Sequence, residues 1–260
     1  MGEYADLNGV RTYYEVHGTG NEEPLVLLHG GIVTAETWGP QIGPFSERYR
    51  VYVPERRAHG HTQDVEGPLT YEDMAVDTAA FLKEIVGGPA HLVGWSDGGN
   101  VGLLVALSNA DLVRKLVVIG SNFHHNGVPV TPEDMGMTAD GPELAMFRGL
   151  YEAASPDGPD HWPVVVDMLF HMWKTGPTLT VEDLAKIQAP TLVLVGDDDM
   201  PTLAHTTAMY EALPKGQLAV IPGASHAVPM EKTPAVNQLV LEFLAGGEPQ
   251  TMMPFRRREH

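Results

Sequence analysis

The chain contains no cysteine. Disulfides, thiolate nucleophiles and Cys-ligated metal sites are therefore excluded. Positive charge is scarce: 16 Lys and Arg stand against 34 Asp and Glu, a net charge of −18 with His neutral. Such a surface would repel a phosphate backbone or an anionic membrane, so neither nucleic acid nor membrane is expected as a partner. Solubility accounts for the acid excess. No apolar run approaches the ~20 residues of a membrane span. The first residues, Met1-Gly2-Glu3-Tyr4-Ala5-Asp6, lack the basic and apolar regions of a signal peptide. A soluble cytoplasmic protein, monomer or homodimer, is the expectation.

What is present suits an α/β domain. Hydrophobic residues make up 43% of 260 positions, enough for a sizeable core in one domain with an insertion. Val10 to Val16 is rich in β-branched and aromatic residues and reads as a strand. Leu25-Val26-Leu27-Leu28, Val51-Tyr52-Val53-Pro54, His91-Leu92-Val93, Leu116 to Gly120, Thr191 to Gly196 and Leu218 to Pro222 continue the series. Uninterrupted apolarity of this kind suits strands covered on both faces, as in a parallel sheet. Helical spacing runs from Tyr71 to Val86, stopped by Gly87-Gly88-Pro89, and again from Ala235 to Leu244. Alternating strands and helices mean a mostly parallel sheet with right-handed crossovers.

The stretch 121–187 breaks that alternation. It is rich in Pro, Gly and Met, with helical pieces near Glu143 to Ala153 and His161 to Trp173, and would form a lid over the strand ends. The expected division is a core of residues 1–120 and 188–248, a helical lid of 121–187 and a flexible tail of 249–260.

Gly94-Trp95-Ser96-Asp97-Gly98-Gly99 joins an apolar strand to the helix beginning near Asn100. Taken alone it could be a glycine-rich turn without chemistry. It also matches the Gly-x-Ser-x-Gly nucleophile elbow, in which glycines either side of a strained serine let neighbouring backbones approach. Ser96 rather than Asp97 sits at the apex. His29-Gly30-Gly31-Ile32 follows another strand, and acyl transfer needs a second N–H donor besides the one after the nucleophile. The amides of Gly31 and Asp97 are the candidate oxyanion donors.

A serine hydroxyl needs a base, usually a histidine held by a carboxylate. Asp197, Asp198 and Asp199 follow one late strand and His226 follows the last, in the chain order Ser, Asp, His expected of this elbow.

On His29-Gly30-Gly31, the Ser96 elbow, Gly196-x-x-Asp199 and His226, the chain resembles the α/β-hydrolase family over nearly its whole length. The resemblance implies an eight-stranded, mostly parallel sheet flanked by helices, a helical lid at 121–187, and Asp199 as the acid of the triad. Two departures stand out. Ala58-His59-Gly60-His61-Thr62 is similar to the family's Gly-His-Gly-x-Ser segment, with Ala58 in place of a glycine and Glu55 where Asp is common. The proline often found after His-Gly-x is missing. Both read as variation in loop shape.

The elbow is similar to that of valacyclovir-hydrolase-type esterases, which implies an alternative role for Asp97 as anchor for a substrate amino group. The competing reading is that the Asp97 side chain hydrogen-bonds locally. Gly30, Ile32, Trp95, Phe123, Met168 and Met172 are the candidate substrate-binding residues. Met135, Met137, Met146, Trp162 and Trp173 would either extend an adaptable apolar pocket or form core. Acidic residues of the lid, Glu133 to Asp183, would favour a cationic substrate or form a solvated face. His124, His125, His161 and His171 show no His-Glu-x-x-His pattern, and neither metal nor cofactor is expected.

The expected function is a serine hydrolase cleaving a carboxylic ester or lactone, a small molecule, through an acyl-enzyme. A C–C hydrolase, perhydrolase or thioesterase on the same triad, or a non-catalytic small-molecule receptor, are the alternatives.

Overall fold

The computed structural model describes residues 2–247 and 249–254. Eight strands form one sheet: β1 (Glu3–Leu7), β2 (Val10–His17), β3 (Pro24–Leu28), β4 (Arg50–Pro54), β5 (Ala90–Trp95), β6 (Val113–Ile119), β7 (Thr191–Asp198) and β8 (Gly216–Ser225). Their order is β1-β2-β4-β3-β5-β6-β7-β8. β1 with β2 and β2 with β4 are antiparallel, and every pairing from β4 to β8 is parallel.

The helices are α1 (Gly39–Ser46), α2 (Tyr71–Phe81), α3 (Asp97–Ser108), α4 (Ala145–Ala154), α5 (Trp162–Thr175), α6 (Val181–Leu184), α7 (Leu203–Ala212), α8 (Val228–Glu231) and α9 (Thr233–Ala245). Side chains alternate across the central strands, so the sheet separates two cores. Val26, Leu28, Leu92, Leu116 and Val118 face a core shared with α2 and α3. Leu25, Leu27, Val93, Val117 and Ile119 face one shared with α1 and α9. The expected doubly covered sheet is the one observed.

The insert between β6 and β7 carries α4, α5 and α6 and adds no strand to the sheet. Helix α5 buries Val165, Val166, Leu169 and Met172, spaced to lie along one helical stripe, in the same core as α2 and α3. Each such side chain contributes about 1.5–3 kcal/mol on full burial, so α5 is docked.

Because β4, β3, β5, β6, β7 and β8 run parallel, the loops leaving their C-terminal ends gather on one edge of the sheet. That edge carries His29 to Thr34, Glu55 to Thr62, Ser96, Gly120 to Asn122, Asp199 and His226. The tail expected at 249–260 has Arg256-Arg257-Arg258-Glu259-His260 outside the described residues. Among the described residues no helix is long and apolar enough to cross a membrane.

Candidate active site

Ser96 stands between β5 and α3 with φ 54° and ψ −122°. A positive φ on a residue with a Cβ stores strain. The turn closes only because its flanking glycines are bare: a Cβ on Gly94 would fall on the Gly98 carbonyl group, and one on Gly98 would fall on that of Leu28. Ser96 N–H donates to Ile119 O at 2.8 Å, and Ser121 Oγ donates to Ser96 O at 3.0 Å. The serine hydroxyl is thereby held at the strand edge.

His226 follows β8 directly. Its Nε2 lies 3.0 Å from Ser96 Oγ and its Nδ1 2.6 Å from Asp199 Oδ1. A carboxylate accepts, so Nδ1 carries the proton and Nε2 is free to take one from the serine. The Asp199 side chain is fully buried and accepts further N–H bonds from Gly196 at 3.3 Å and Met200 at 2.7 Å. Asp197 instead accepts from Gly223 and Ala224, at 2.7 and 3.2 Å, and Asp198 is exposed. Of the three aspartates only Asp199 reaches the imidazole.

Two neighbours complete this pair. Gly120, at φ +58°, lies where a Cβ would come within 3.0 Å of Asp199 Oδ2 and 3.1 Å of His226 Nδ1. Trp95 Nε1 donates to His226 O at 2.8 Å, with the two rings 5.6 Å apart.

The second loop is held from behind by a buried cation. Arg56 is 6% exposed; its Nη1 donates to His29 O at 2.5 Å and its Nη2 to Gly30 O at 3.0 Å. With both carbonyls turned towards the guanidinium, the next amide, that of Gly31, is turned to the other side. Among the described residues neither Gly31 N–H nor Asp97 N–H has an acceptor, the latter being an unpaired first-turn amide of α3. Burial lowers the Arg56 pKa to about 10, opposed by the negative charge of Asp97. His29, fully buried beside Arg56, has its pKa lowered well below the ordinary value and stays neutral.

The Asp97 side chain is 3% exposed and both its oxygens are engaged. Tyr71 OH donates to Oδ1 at 2.7 Å, and Trp173 Nε1 donates to Oδ2 at 2.9 Å. Tyr71 opens α2, whose cap Thr70 accepts from Asp73 N–H at 3.1 Å. Burial, then Asp97, push the Tyr71 pKa well up, so the phenol remains a donor.

Residues 25–239 match the model of the alpha/beta hydrolase family. The chain belongs to that family. Among curated proteins similar to this α/β hydrolase, the non-heme chloroperoxidase of Streptomyces lividans is 27% identical over 270 residues, spanning 85% of this chain and 95% of that one. The bifunctional esterase/perhydrolase DCH of Acinetobacter calcoaceticus is 25% identical over 278 residues, spanning 94% and 99%. Among solved structures, Est816, described as an N-acyl homoserine lactone degrading enzyme, superposes with a TM-score of 0.72 at 25% identity, covering 93% of this chain and all of its own.

The departures from the family pattern have physical counterparts in this α/β hydrolase. Ala58 sits at φ 62°, a conformation a glycine adopts without strain. Glu55 is fully buried and accepts from Ala35 N–H, His61 N–H and His61 Nδ1 at 2.9, 2.5 and 3.0 Å. Ile32, where proline is common, sits at φ 66°, which a proline ring forbids.

The remaining site candidates divide. Gly30 packs against Trp95 and Ser96, and Ile32 is half-buried beside it. Met168 is half-buried and Met172 is buried in the core of the α2 face. Phe123 stacks on His205, 4.0 Å between centroids, and holds the chain entering the insert. Met135 and Met146, expected in an apolar pocket or in the core, are exposed at 47% and 68%: Met146 lies off the face on which α4 buries Tyr151, and Met135 lies in the turns ahead of that helix. The acidic insert is partly neutralised: Arg148 pairs with Asp140 and Glu152, Lys174 with Glu133 and Lys186 with Asp183. Among the described residues no three His, Asp or Glu side chains gather as a metal site requires.

Arg56, Tyr71 and Gly120 escape a reading of motifs. Their only signals are an arginine two residues past a buried strand, a tyrosine at a helix start and a glycine at a strand end, all of them common.

Proposed function

We propose that this α/β hydrolase is a serine hydrolase acting on a carboxylic ester or lactone. The observation that carries the reading is the chain of contacts Ser96 Oγ, His226 Nε2, His226 Nδ1 and Asp199 Oδ1 at 3.0 and 2.6 Å, starting from a strained serine. Ser96 Oγ attacks the carbonyl carbon while His226 takes its proton, and Asp199 holds the imidazolium. The amides of Gly31 and Asp97 stabilise the oxyanion. His226 then protonates the departing alkoxide. Water, deprotonated by His226, releases the acid from the acyl-enzyme.

The names of DCH, an esterase/perhydrolase, and Est816, a lactone-degrading enzyme, favour ester and lactone carbonyls. The insert acts as a lid, with α5 reaching the site through Trp173. Asp97 is an internal acceptor rather than an amine anchor, since Tyr71 and Trp173 occupy its oxygens.

The test is a panel of p-nitrophenyl esters from acetate to long acyl chains, an aminoacyl ester and an acyl homoserine lactone. Turnover of neutral esters or the lactone supports the reading, and a preference for the aminoacyl ester would return Asp97 to the role of anchor. A panel without turnover would contradict it and direct attention to C–C or peracid chemistry.

A further inference from the structure

Where the insert meets the loops behind the site there is a cavity of about 10 Å³, lined by the apolar side chains of Ile32, Trp162 and Val165 and by Thr34, His59 and Tyr151. That is room for about one water-sized group. The three polar residues are 5%, 3% and 4% exposed. Thr34 Oγ1, His59 Nε2 and Tyr151 OH each lack a hydrogen-bond partner among the described residues. Ser155 is close to the Tyr151 hydroxyl, yet no bond of normal length joins them, and its Oγ already accepts from Asp157 N–H at 3.2 Å. Nine such orphan atoms occur in the described residues, and three of them belong to the residues of this one cavity. Buried polar atoms are nearly always satisfied, and leaving one unpaired costs about 1–3 kcal/mol.

The chemistry of the three atoms restricts the occupant. His59 Nδ1 is 2.9 Å from Arg57 O, a group that can only accept, so Nδ1 bears the proton and Nε2 is a bare lone pair. Burial and then the charge of Arg56 lower the His59 pKa to about 3, so the ring stays neutral. The occupant must donate to Nε2, which excludes carbonyls, carboxylates and halides. The nearby Arg56 charge disfavours an ammonium. Thr34 and Tyr151 carry rotatable O–H groups that can donate to an oxygen lone pair. A neutral hydroxyl has one hydrogen and two lone pairs, matching all three atoms.

We propose that this cavity is a hydroxyl site, taking one neutral O–H oxygen that donates to His59 Nε2 and accepts from Thr34 Oγ1 and Tyr151 OH. The oxygen belongs to an internal water or to the hydroxyl of a substrate chain passing Ile32, the neighbour of Gly31. Only the substrate source rests on the serine-hydrolase reading.

Two measurements test it together. The first is a high-resolution crystal structure of the wild-type protein, in which an oxygen within hydrogen-bond distance of all three atoms is expected. The second compares p-nitrophenyl 6-hydroxyhexanoate with p-nitrophenyl hexanoate in wild type and Tyr151→Phe. A substrate source gives a preference of roughly tenfold for the hydroxy ester, lost in Tyr151→Phe. An internal water gives the oxygen density with equal rates, and a lower Tm for Tyr151→Phe. A dry cavity with equal rates overturns the proposal. If neither ester is turned over, the density still decides it, and only the hydrolase reading fails.

Discussion

Trp173 Nε1 donates to Asp97 Oδ2 across 2.9 Å, joining the insert to the residue that follows the candidate nucleophile. Asp97 offers its amide to the proposed oxyanion hole and its carboxylate to α5. The position of the insert is thereby tied to the geometry of the proposed catalytic site. A Cβ on Gly31 would collide with both the Asp97 carboxylate and the Trp173 ring, so all three groups share one wall. Trp173→Phe keeps an aromatic side chain, though a smaller one, and removes the donor, and a hydrogen bond to a charged group contributes about 1.5–3 kcal/mol. Steady-state kinetics of this variant should show kcat/KM down by roughly tenfold. Unchanged kinetics would mean that the contact is structural alone.

In the proposed reaction Arg56 acts at one remove. Its planar fork bridges the carbonyls of His29 and Gly30, a task that a lysine ammonium, as a point donor, performs poorly. In Arg56→Lys kcat should fall about 10- to 100-fold with KM changed less than about threefold, because removing an oxyanion donor outright costs about 10²–10³. A rise in KM at constant kcat would place Arg56 in substrate binding instead.

Much of this arrangement is legible in the sequence. The strands that become β3, β5, β6 and β7 announce themselves as short apolar runs because both faces are covered. Ser96 and His226, which the structure brings within hydrogen-bond distance, are picked out by their places directly after a strand and in the required order, whereas Asp199 is separated from Asp197 and Asp198 only by the family resemblance. β1 is missed: Glu3-Tyr4-Ala5-Asp6-Leu7 is mixed in polarity, and as an edge strand it pairs with β2 alone. α7 is missed because Thr206 and Met209 are the residues it buries, too few to mark a face. Arg56 lies in the polar run Glu55-Arg56-Arg57, where local pattern reads as solvated loop. Only tertiary structure reveals that two carbonyls from another loop surround it.

Gly120 offers a second test of positioning. A methyl group there would press on Asp199 and His226 while adopting φ +58°, which costs an L-residue roughly 1–2 kcal/mol. Gly120→Ala should lower kcat by roughly tenfold, since contacts of 3.0 and 3.1 Å ask the pair to give by a few tenths of an ångström, less than the ~1 Å misplacement that costs about 100-fold. Circular dichroism checks that the fold persists. Wild-type kcat would show that the acid–base pair tolerates the shift.

Stability should depend on pH through His59. Its folded-state pKa, about 3, lies below the ~6.5 of a free imidazole, so between these values the unfolded chain binds a proton that the folded chain refuses. Stability is therefore lost as pH falls through that window, on the order of 2 kcal/mol between about pH 6.5 and about pH 5. His205, lowered to about 4, acts in the same direction. In His59→Gln the urea midpoint should fall less steeply over this range than in the wild type; parallel slopes would contradict the assignment of a neutral buried ring.

Everything proposed for the site depends on Ser96 as the nucleophile. Reaction with a fluorophosphonate, followed by intact-mass analysis and peptide mapping, tests it before any substrate is known. One adduct is expected, on Ser96, absent in Ser96→Ala, with ester turnover in that variant reduced by roughly 10⁴ to 10⁶. An unlabelled wild type, or a Ser96→Ala variant with full activity, would contradict it.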